Sequence, residues 1–259
     1  MRTIIQLSDL YFGSILEPTL EPLIEVMWSL KPDLVIVSGD LTQRAKREQF
    51  QAAQRYVARM PTPRIVVPGN HDIPLYNVFR RFVRPLAAYT TYISSDLAPS
   101  YVDEEVAVVA MNSARSFTFK GGALGKQQVA VAVSTLQRAA PDAARIVVSH
   151  HPFDIPVGLS GVTIVRGVEH AMRAFAECGV DLFLAGHLHL IHQASAGKYV
   201  PGYSATILQT GTATSARARD EPNSFFVLRV ERESIEVDVQ QWSAARGQFD
   251  VSETRVLPR

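Results

Sequence analysis

The sequence predicts an α/β fold, a layered sandwich of two mixed β-sheets flanked by helices. Three observations predict it. Short apolar runs rich in β-branched residues stop at Gly, Ser, Asn or His, as buried strands do. Helix-length segments lie between them, the alternation that builds parallel βαβ units. In the last third, strand-like runs follow one another without helices, and an antiparallel sheet is expected there.

In chain order, residues 4–7 form a first strand ending at Ser8, and residues 18–30 a helix with Pro18 in its first turn, where its missing N–H costs nothing. Residues 34–37 (LVIV) form a strand running into Ser38-Gly39, residues 46–60 a second helix, and residues 65–67 a strand stopped by Pro68-Gly69. Residues 76–92, with Phe79, Arg80, Arg81, Phe82, Arg84 and Pro85, read as an inserted helical stretch. Because the stretch follows Asp72 directly, the region 74–95 is a candidate overhang above a site. Strands are then expected at 106–110, 146–148 and 182–184, with helices at 126–140 and 166–178 between them. Runs at 207–209, 225–230, 235–241 and 249–256 supply the antiparallel part. With 259 residues, 47% of them hydrophobic, the chain can bury a sizeable core, and residues 1–259 read as one domain.

Lys and Arg number 26 against 25 Asp and Glu, a net charge of +1. No global field therefore draws the chain to nucleic acid or to an anionic membrane, and anion binding has to be local. Cys178 is the single cysteine, which excludes an internal disulfide and a thiolate cluster. The apolar run at the N-terminus is broken by Asp9, too soon for a signal peptide, and no stretch approaches the roughly 18 apolar residues of a membrane span. A cytoplasmic location is expected.

The chemistry sits in five short motifs: Ser8-Asp9-Leu10-Tyr11, Gly39-Asp40-Leu41-Thr42-Gln43-Arg44, Gly69-Asn70-His71-Asp72, His150-His151 and Gly186-His187-Leu188-His189. Asp9, Asp40, Asn70 and His150 each follow a predicted strand, and the carboxyl ends of strands in open α/β sheets converge on one crevice. Thirty-one residues separate Asp9 from Asp40 and thirty separate Asp40 from Asn70, one strand-helix-strand step each. Asp9 and Tyr11, like His187 and His189, are two apart, which in extended chain points both side chains to one face. Carboxylate, amide and imidazole donors suit Mn, Fe, Co or Zn. Arg44 can hold Asp40 or a phosphate oxygen through its planar donor fork.

These motifs resemble the DxH, GDxxxR, GNHD, HH and GHxH pattern of the calcineurin-like metallophosphoesterase superfamily. GDLTQR followed by PGNHD is similar in wording to the bacterial class III cyclic-nucleotide phosphodiesterases. The resemblance spans residues 9 to 189. It implies a centre of two divalent or mixed-valence transition-metal ions, with Asp9 and His189 on the first, Asp40 bridging, and Asn70, His150 and His187 on the second. His150 is the ligand of its doublet and His151 supports the turn. Two divalent ions, two carboxylates and a bridging hydroxide leave about +1 facing the substrate. The resemblance further implies hydrolysis of a phosphate ester by a metal-bound hydroxide, with His71 as leaving-group acid and Asp72 orienting its ring. A phosphodiester is the favoured substrate and a cyclic nucleotide one candidate. The alternatives are a phosphomonoesterase, a nucleotide-sugar lipid hydrolase and a metal-poor interaction module.

Tyr11 departs from the pattern, standing where a histidine ligand is expected. Three readings stand: a phenolate ligand, which a ferric ion would favour; a residue that only lines the site and leaves the first ion short of a ligand; and a degenerate centre kept for protein binding. Retention of the other ligand positions weighs against the third. His170 and His192 read as structural or surface residues. Arg115, Arg217 and Arg219 occupy loops within possible reach of substrate, although solvated charge is the default for such positions.

Overall fold

The computed structural model describes residues 1–118, 120–217 and 221–259; Arg219 lies outside them. Its strands are β1 (Arg2–Leu7), β2 (Leu34–Val37), β3 (Arg64–Val66), β4 (Ser100–Val102), β5 (Val106–Met111), β6 (Ala144–Ser149), β7 (Leu182–Ala185), β8 (His192–Ser195), β9 (Thr206–Gln209), β10 (Ser224–Val230), β11 (Ser234–Ser243) and β12 (Gln248–Pro258). Its helices are α1 (Leu20–Leu30), α2 (Arg47–Val57), α3 (Val78–Val83), α4 (Ala87–Tyr92), α5 (Lys126–Gln137) and α6 (Val168–Glu177). They build two six-stranded sheets, ordered β12-β11-β10-β1-β2-β3 and β4-β5-β6-β7-β9-β8, the layered α/β sandwich the sequence predicts.

Strand alternation decides which face each residue buries. Ile4, Leu34 and Ile36 meet Val108, Ile146, Val148 and Leu184 of the other sheet in a cluster between the layers. Ile5, Leu7, Val35 and Val37 face the opposite way and pack under α1 and α2 with Leu23, Met27 and Phe50. Val109, Val147 and Phe183 do the same for the second sheet beneath α5 and α6, against Leu136, Met172 and Phe175. Both faces of the central strands are therefore apolar, each fully buried side chain of this kind stabilising the fold by about 1.5–3 kcal/mol. No helix among the described residues is long and apolar enough to cross a membrane.

Register places the motifs. β1 runs parallel to β2 with Leu7 opposite Val37, and β2 parallel to β3 with Val37 opposite Val66, so the segments carrying Asp9, Asp40 and Asn70 leave the sheet at one level. In the second sheet β6 and β7 are parallel with Val148 opposite Leu184, which sets His150 beside the 186–189 turn.

Three expectations are revised. Residues 207–209 do not join the antiparallel sheet: β9 lies parallel to β7 in the second layer, while β10, β11 and β12 extend the first sheet antiparallel from β1. The 76–92 stretch is two short helices rather than one. Pro85 separates them, because the residue before a proline is driven out of the α region, and Arg84 sits at φ −145°, ψ 70°. The edge strands β4 and β8 were not expected; each is half exposed and short, with no sustained apolar alternation to betray it.

Candidate metal centre

Each motif turns sharply as it leaves its strand. Among the described residues seven non-glycine residues have positive φ, and five are site residues: Asp9 (59°), Tyr11 (55°), Asp40 (53°), His187 (77°) and His189 (59°). Left-handed backbone costs roughly 1–2 kcal/mol per residue, so conformational strain is concentrated here. This corrects the reason expected for convergence. Asp9 and Tyr11 share a face because both are left-handed around the buried Leu10, not because the chain is extended, and the same holds for His187 and His189 around Leu188.

The turns are braced from the backbone. Asp9 N–H donates to Gly39 O at 3.0 Å and Tyr11 N–H to Asp40 O at 3.0 Å, so the first motif is laid along the second. The Thr210-Gly211-Thr212-Ala213-Thr214 run beyond β9 closes over it, with Thr212 Oγ1 donating to Asp9 O at 2.8 Å and Thr214 Oγ1 to Leu10 O at 2.7 Å. Alternating threonines after a strand were the available sequence signal. Gly39 (φ 96°) lies against the His150 ring; a Cβ there would sit 2.5 Å from its Nδ1.

Asp40 is the hub. Its Oδ1 accepts from His71 N at 2.8 Å, and its Oδ2 accepts from the Tyr11 hydroxyl at 2.9 Å and lies 3.3 Å from His150 Nε2. Asp9 Oδ2 accepts from His187 N at 2.9 Å; Oδ1 lies 3.2 Å from His189 Nε2 but, fully buried, makes no hydrogen bond. Asn70 Oδ1 and His187 Nδ1 approach His150 Nε2 at 3.2 and 3.3 Å. Asp9, Asp40, Asn70, His150, His187 and His189 thus converge in a buried site, as the motifs imply.

Three of the imidazoles are pointed by backbone carbonyls. His150 Nδ1 faces Ser38 O at 2.8 Å, His71 Nδ1 faces Gln43 O at 2.8 Å and His189 Nδ1 faces Arg217 O at 3.3 Å. A carbonyl only accepts, so Nδ1 carries a proton and Nε2 is turned to the site, the way metal-bound histidines are oriented. Burial pulls the His150 pKa down, but the Asp40 and Asp9 carboxylates override it and hold it at about 9. The cluster therefore draws a cation onto His150 Nε2, a place a proton or a metal ion can take. Burial and the neighbouring His150 push His187 down to about 3, leaving a neutral imidazole donor. An unsatisfied buried carboxylate oxygen, a neutral imidazole and a cation-attracting nitrogen are together what a borderline transition-metal ion requires.

Tyr11 is 2% exposed, with its hydroxyl against Asp40 Oδ2 and 3.2 Å from His189 Nε2. Burial, reinforced by the Asp40 and Asp9 charges, raises its pKa well above the usual 10.0, so it stands as a neutral phenol that donates to the hub carboxylate.

Other residues differ from expectation. Among the described residues no hydrogen bond joins Asp72 to the His71 ring; its carboxylate accepts from Gly69 N, Leu41 N, Thr42 N and Thr42 Oγ1, clamping the second and third motifs together. Among the described residues no hydrogen bond joins Arg44 to Asp40; its guanidinium lies 5.8 Å from the Tyr76 ring centroid. His151 supports its turn through Ser113 Oγ, 2.8 Å from Nδ1. Among the described residues its buried Nε2 has no partner, however, and His150, His151 and His187 form a group with ligand atoms within 4.8 Å of one another, so His151 is a further candidate donor. His192 is engaged with Asp154 at 3.0 Å and Arg115 with Asn112 O and Ala114 O.

Carboxylate, amide and imidazole side chains gathered where two packed sheets present their strand ends define a candidate metal site in a protein of the layered α/β class. The family model described as calcineurin-like phosphoesterase matches residues 2–190, and the chain belongs to that family. It is 36% identical over 56 residues to the glycerophosphodiester phosphodiesterase GpdQ of Enterobacter lignolyticus, a match covering 22% of this chain and 19% of the relative. It is 26% identical over 166 residues to the probable glycerophosphodiester phosphodiesterase GpdQ of Arcobacter nitrofigilis, covering 62% of this chain and 58% of the relative. Both matches span less than two thirds of those relatives. The purple acid phosphatase PPD1 from yellow lupin shares the fold at TM-score 0.74 and 13% identity, over 100% of this chain and 54% of the other.

Proposed function

We propose that this chain is a metal-dependent phosphodiesterase acting on a small substrate, with residues 1–259 as one domain around the site. The observation that carries the reading is the convergence of Asp9, Asp40, Asn70, His150, His187 and His189 on one buried cluster. We assign Asp9 and His189 to one ion, Asn70, His150 and His187 to a second, and Asp40 to both. Bound transition-metal ions supply Lewis-acid stabilisation of phosphate charge and a nucleophile from water near neutral pH. The chain's own residues do the rest. Asp40, held by His71 N–H and the Tyr11 hydroxyl, fixes the centre. The His71 ring, pinned through Nδ1 by Gln43 O, presents Nε2 to protonate the departing oxygen, as a general acid must. Tyr11 lines the centre as a neutral donor to Asp40 rather than as a ligand.

A diester is preferred to a monoester on the names of the two relatives, glycerophosphodiester phosphodiesterases. Small glycerophosphodiesters are accordingly the first substrates to assay and cyclic nucleotides the second. The test is hydrolysis of bis(4-nitrophenyl) phosphate by protein loaded with Mn, Fe, Co or Zn, alongside metal analysis. Turnover with two ions per chain, abolished by Asp40→Asn and by Asn70→Ala, is expected. No turnover with any of the four metals, or full activity in Asp40→Asn, overturns the reading in favour of the interaction module.

A further inference from the structure

Next to the centre lies a pocket of about 210 Å³ whose wall includes Asn70 and His71. Arg44, Arg81, Lys120 and Arg217 line it, and among the described residues none of its lining is acidic. In a chain whose net charge is +1, four cations around one small cavity are a local concentration of positive potential.

The four are not equivalent. Arg81, 3% exposed, spends its guanidinium on the carbonyls of Ser116 (2.8 Å), Pro74 (3.1 Å) and Thr118 (2.8 Å). It therefore ties α3 to the 116–118 loop and contributes a fixed charge to the wall. Arg44 and Arg217 lie over aromatic rings, 5.8 Å from the Tyr76 centroid and 5.5 Å from the Tyr11 centroid. Among the described residues neither these two nor Lys120 forms an ion pair. Three cations with uncommitted charge thus face a cavity bounded by the group proposed to protonate the departing oxygen.

Position and size together say what would enter. Resting on the phosphodiesterase reading, the reacting phosphorus belongs over the Asp40 cluster and the departing oxygen at His71, so the pocket receives the alcohol half of the substrate. At about 210 Å³ it falls below the ~300–1,000 Å³ that enclose a whole drug-sized ligand; it suits a compact polar fragment, not a nucleoside. We propose that this pocket is a leaving-group subsite selecting phosphodiesters whose departing alcohol carries a second anionic group, phosphate or carboxylate, contacted by Lys120, Arg44 and Arg217.

A matched pair of substrates tests it: methyl 4-nitrophenyl phosphate and its 3-carboxy derivative, which releases 5-hydroxy-2-nitrobenzoate, with the metal-loaded enzyme. After normalisation to their rates in alkali, the carboxylated ester should show kcat/KM higher by about tenfold or more, as charge-assisted contacts give. Lys120→Gln and Arg217→Gln should each shrink that preference several-fold, and salt should compress it. Equal kcat/KM for the two esters, or a preference neither substitution reduces, overturns the subsite while leaving the phosphodiesterase reading intact. If neither ester turns over, the phosphodiesterase reading fails, and titration calorimetry judges the pocket separately. Tighter binding of 5-hydroxy-2-nitrobenzoate than of 4-nitrophenol, weakened by Lys120→Gln, supports an anion site; equal binding overturns it.

Discussion

Replacing Tyr11 by phenylalanine removes one buried hydroxyl from the site, and the consequence can be worked from the contacts. The phenol is almost fully buried and donates to Asp40 Oδ2 at 2.9 Å. A hydrogen bond to a charged acceptor contributes about 1.5–3 kcal/mol, while the phenylalanine ring fills the same space. Metal-free Tyr11→Phe should therefore be less stable by about that amount, and at about 2–4 °C per kcal/mol for a chain near this size the transition should fall by about 3–12 °C. Metal opposes this difference. The hydroxyl and an ion compete for Asp40 Oδ2, so the variant should bind metal more tightly, by about tenfold for each 1.4 kcal/mol released. Because a ligand that binds only the folded state stabilises it, the stability gap should close as metal is added. Calorimetric unfolding of both proteins in chelator and across a Mn or Zn titration measures this. A gap that widens with metal would show that the phenol ligates the ion, and equal stability of the metal-free proteins would remove the hydrogen bond from the account. A visible charge-transfer band in the iron-loaded protein that Tyr11→Phe abolishes would refute the neutral-phenol assignment as well.

Gly39→Ala should cost about 2–5 kcal/mol, from overpacking against the His150 ring and left-handed backbone at φ 96°; a change under about 0.5 kcal/mol in denaturant unfolding would refute the contact. His71→Ala should slow diesters with poorly acidic leaving alcohols by about 10²–10⁴ and 4-nitrophenyl esters far less, and equal losses on both would deny it the role of acid. Asp103 tests electrostatics away from the site. Burial pushes its carboxyl up, but the Val106 and Glu105 N–H groups, the Tyr101 hydroxyl and Arg2 outweigh that and lower its pKa below the usual 3.8. Its stabilisation is accordingly complete above 3.8 and lost as the pH falls through the lower folded value. Asp103→Asn should be destabilised near pH 6 and converge on the parent protein in acid; a difference independent of pH would contradict the assignment.

Much of the architecture was legible because its causes are local. Uninterrupted apolar runs such as Leu34–Val37 mark strands buried on both faces, and the site donors follow such runs directly. Elements without a local signal were missed, as for the short edge strands β4 and β8; β9 was expected as a strand, but its place beside β7 rests on pairing the sequence does not encode within a few residues. Among the motif residues, the convergence of Asp40 and His150 was legible, because each follows a strand end. The partners of individual side chains were not. Asp72 braces the backbone of Leu41, Thr42 and Gly69 and Arg44 lies by Tyr76, because Leu41, Thr42 and Tyr76 are neighbours brought in from thirty or more residues away.

By itself the sequence determined the layered α/β class, the family and a set of candidate donors, since these follow from hydrophobic period and from side chains whose chemistry is fixed wherever they lie. Tertiary structure decided how the donors are held. It set five left-handed residues around the site, gave the imidazoles their orientation through the carbonyls of Ser38, Gln43 and Arg217, and drew Arg44, Arg81, Lys120 and Arg217 to one pocket. It also settled the surroundings of Tyr11, because only packing shows that its hydroxyl is shut away from water against Asp40, where desolvation and a neighbouring carboxylate keep the phenol protonated.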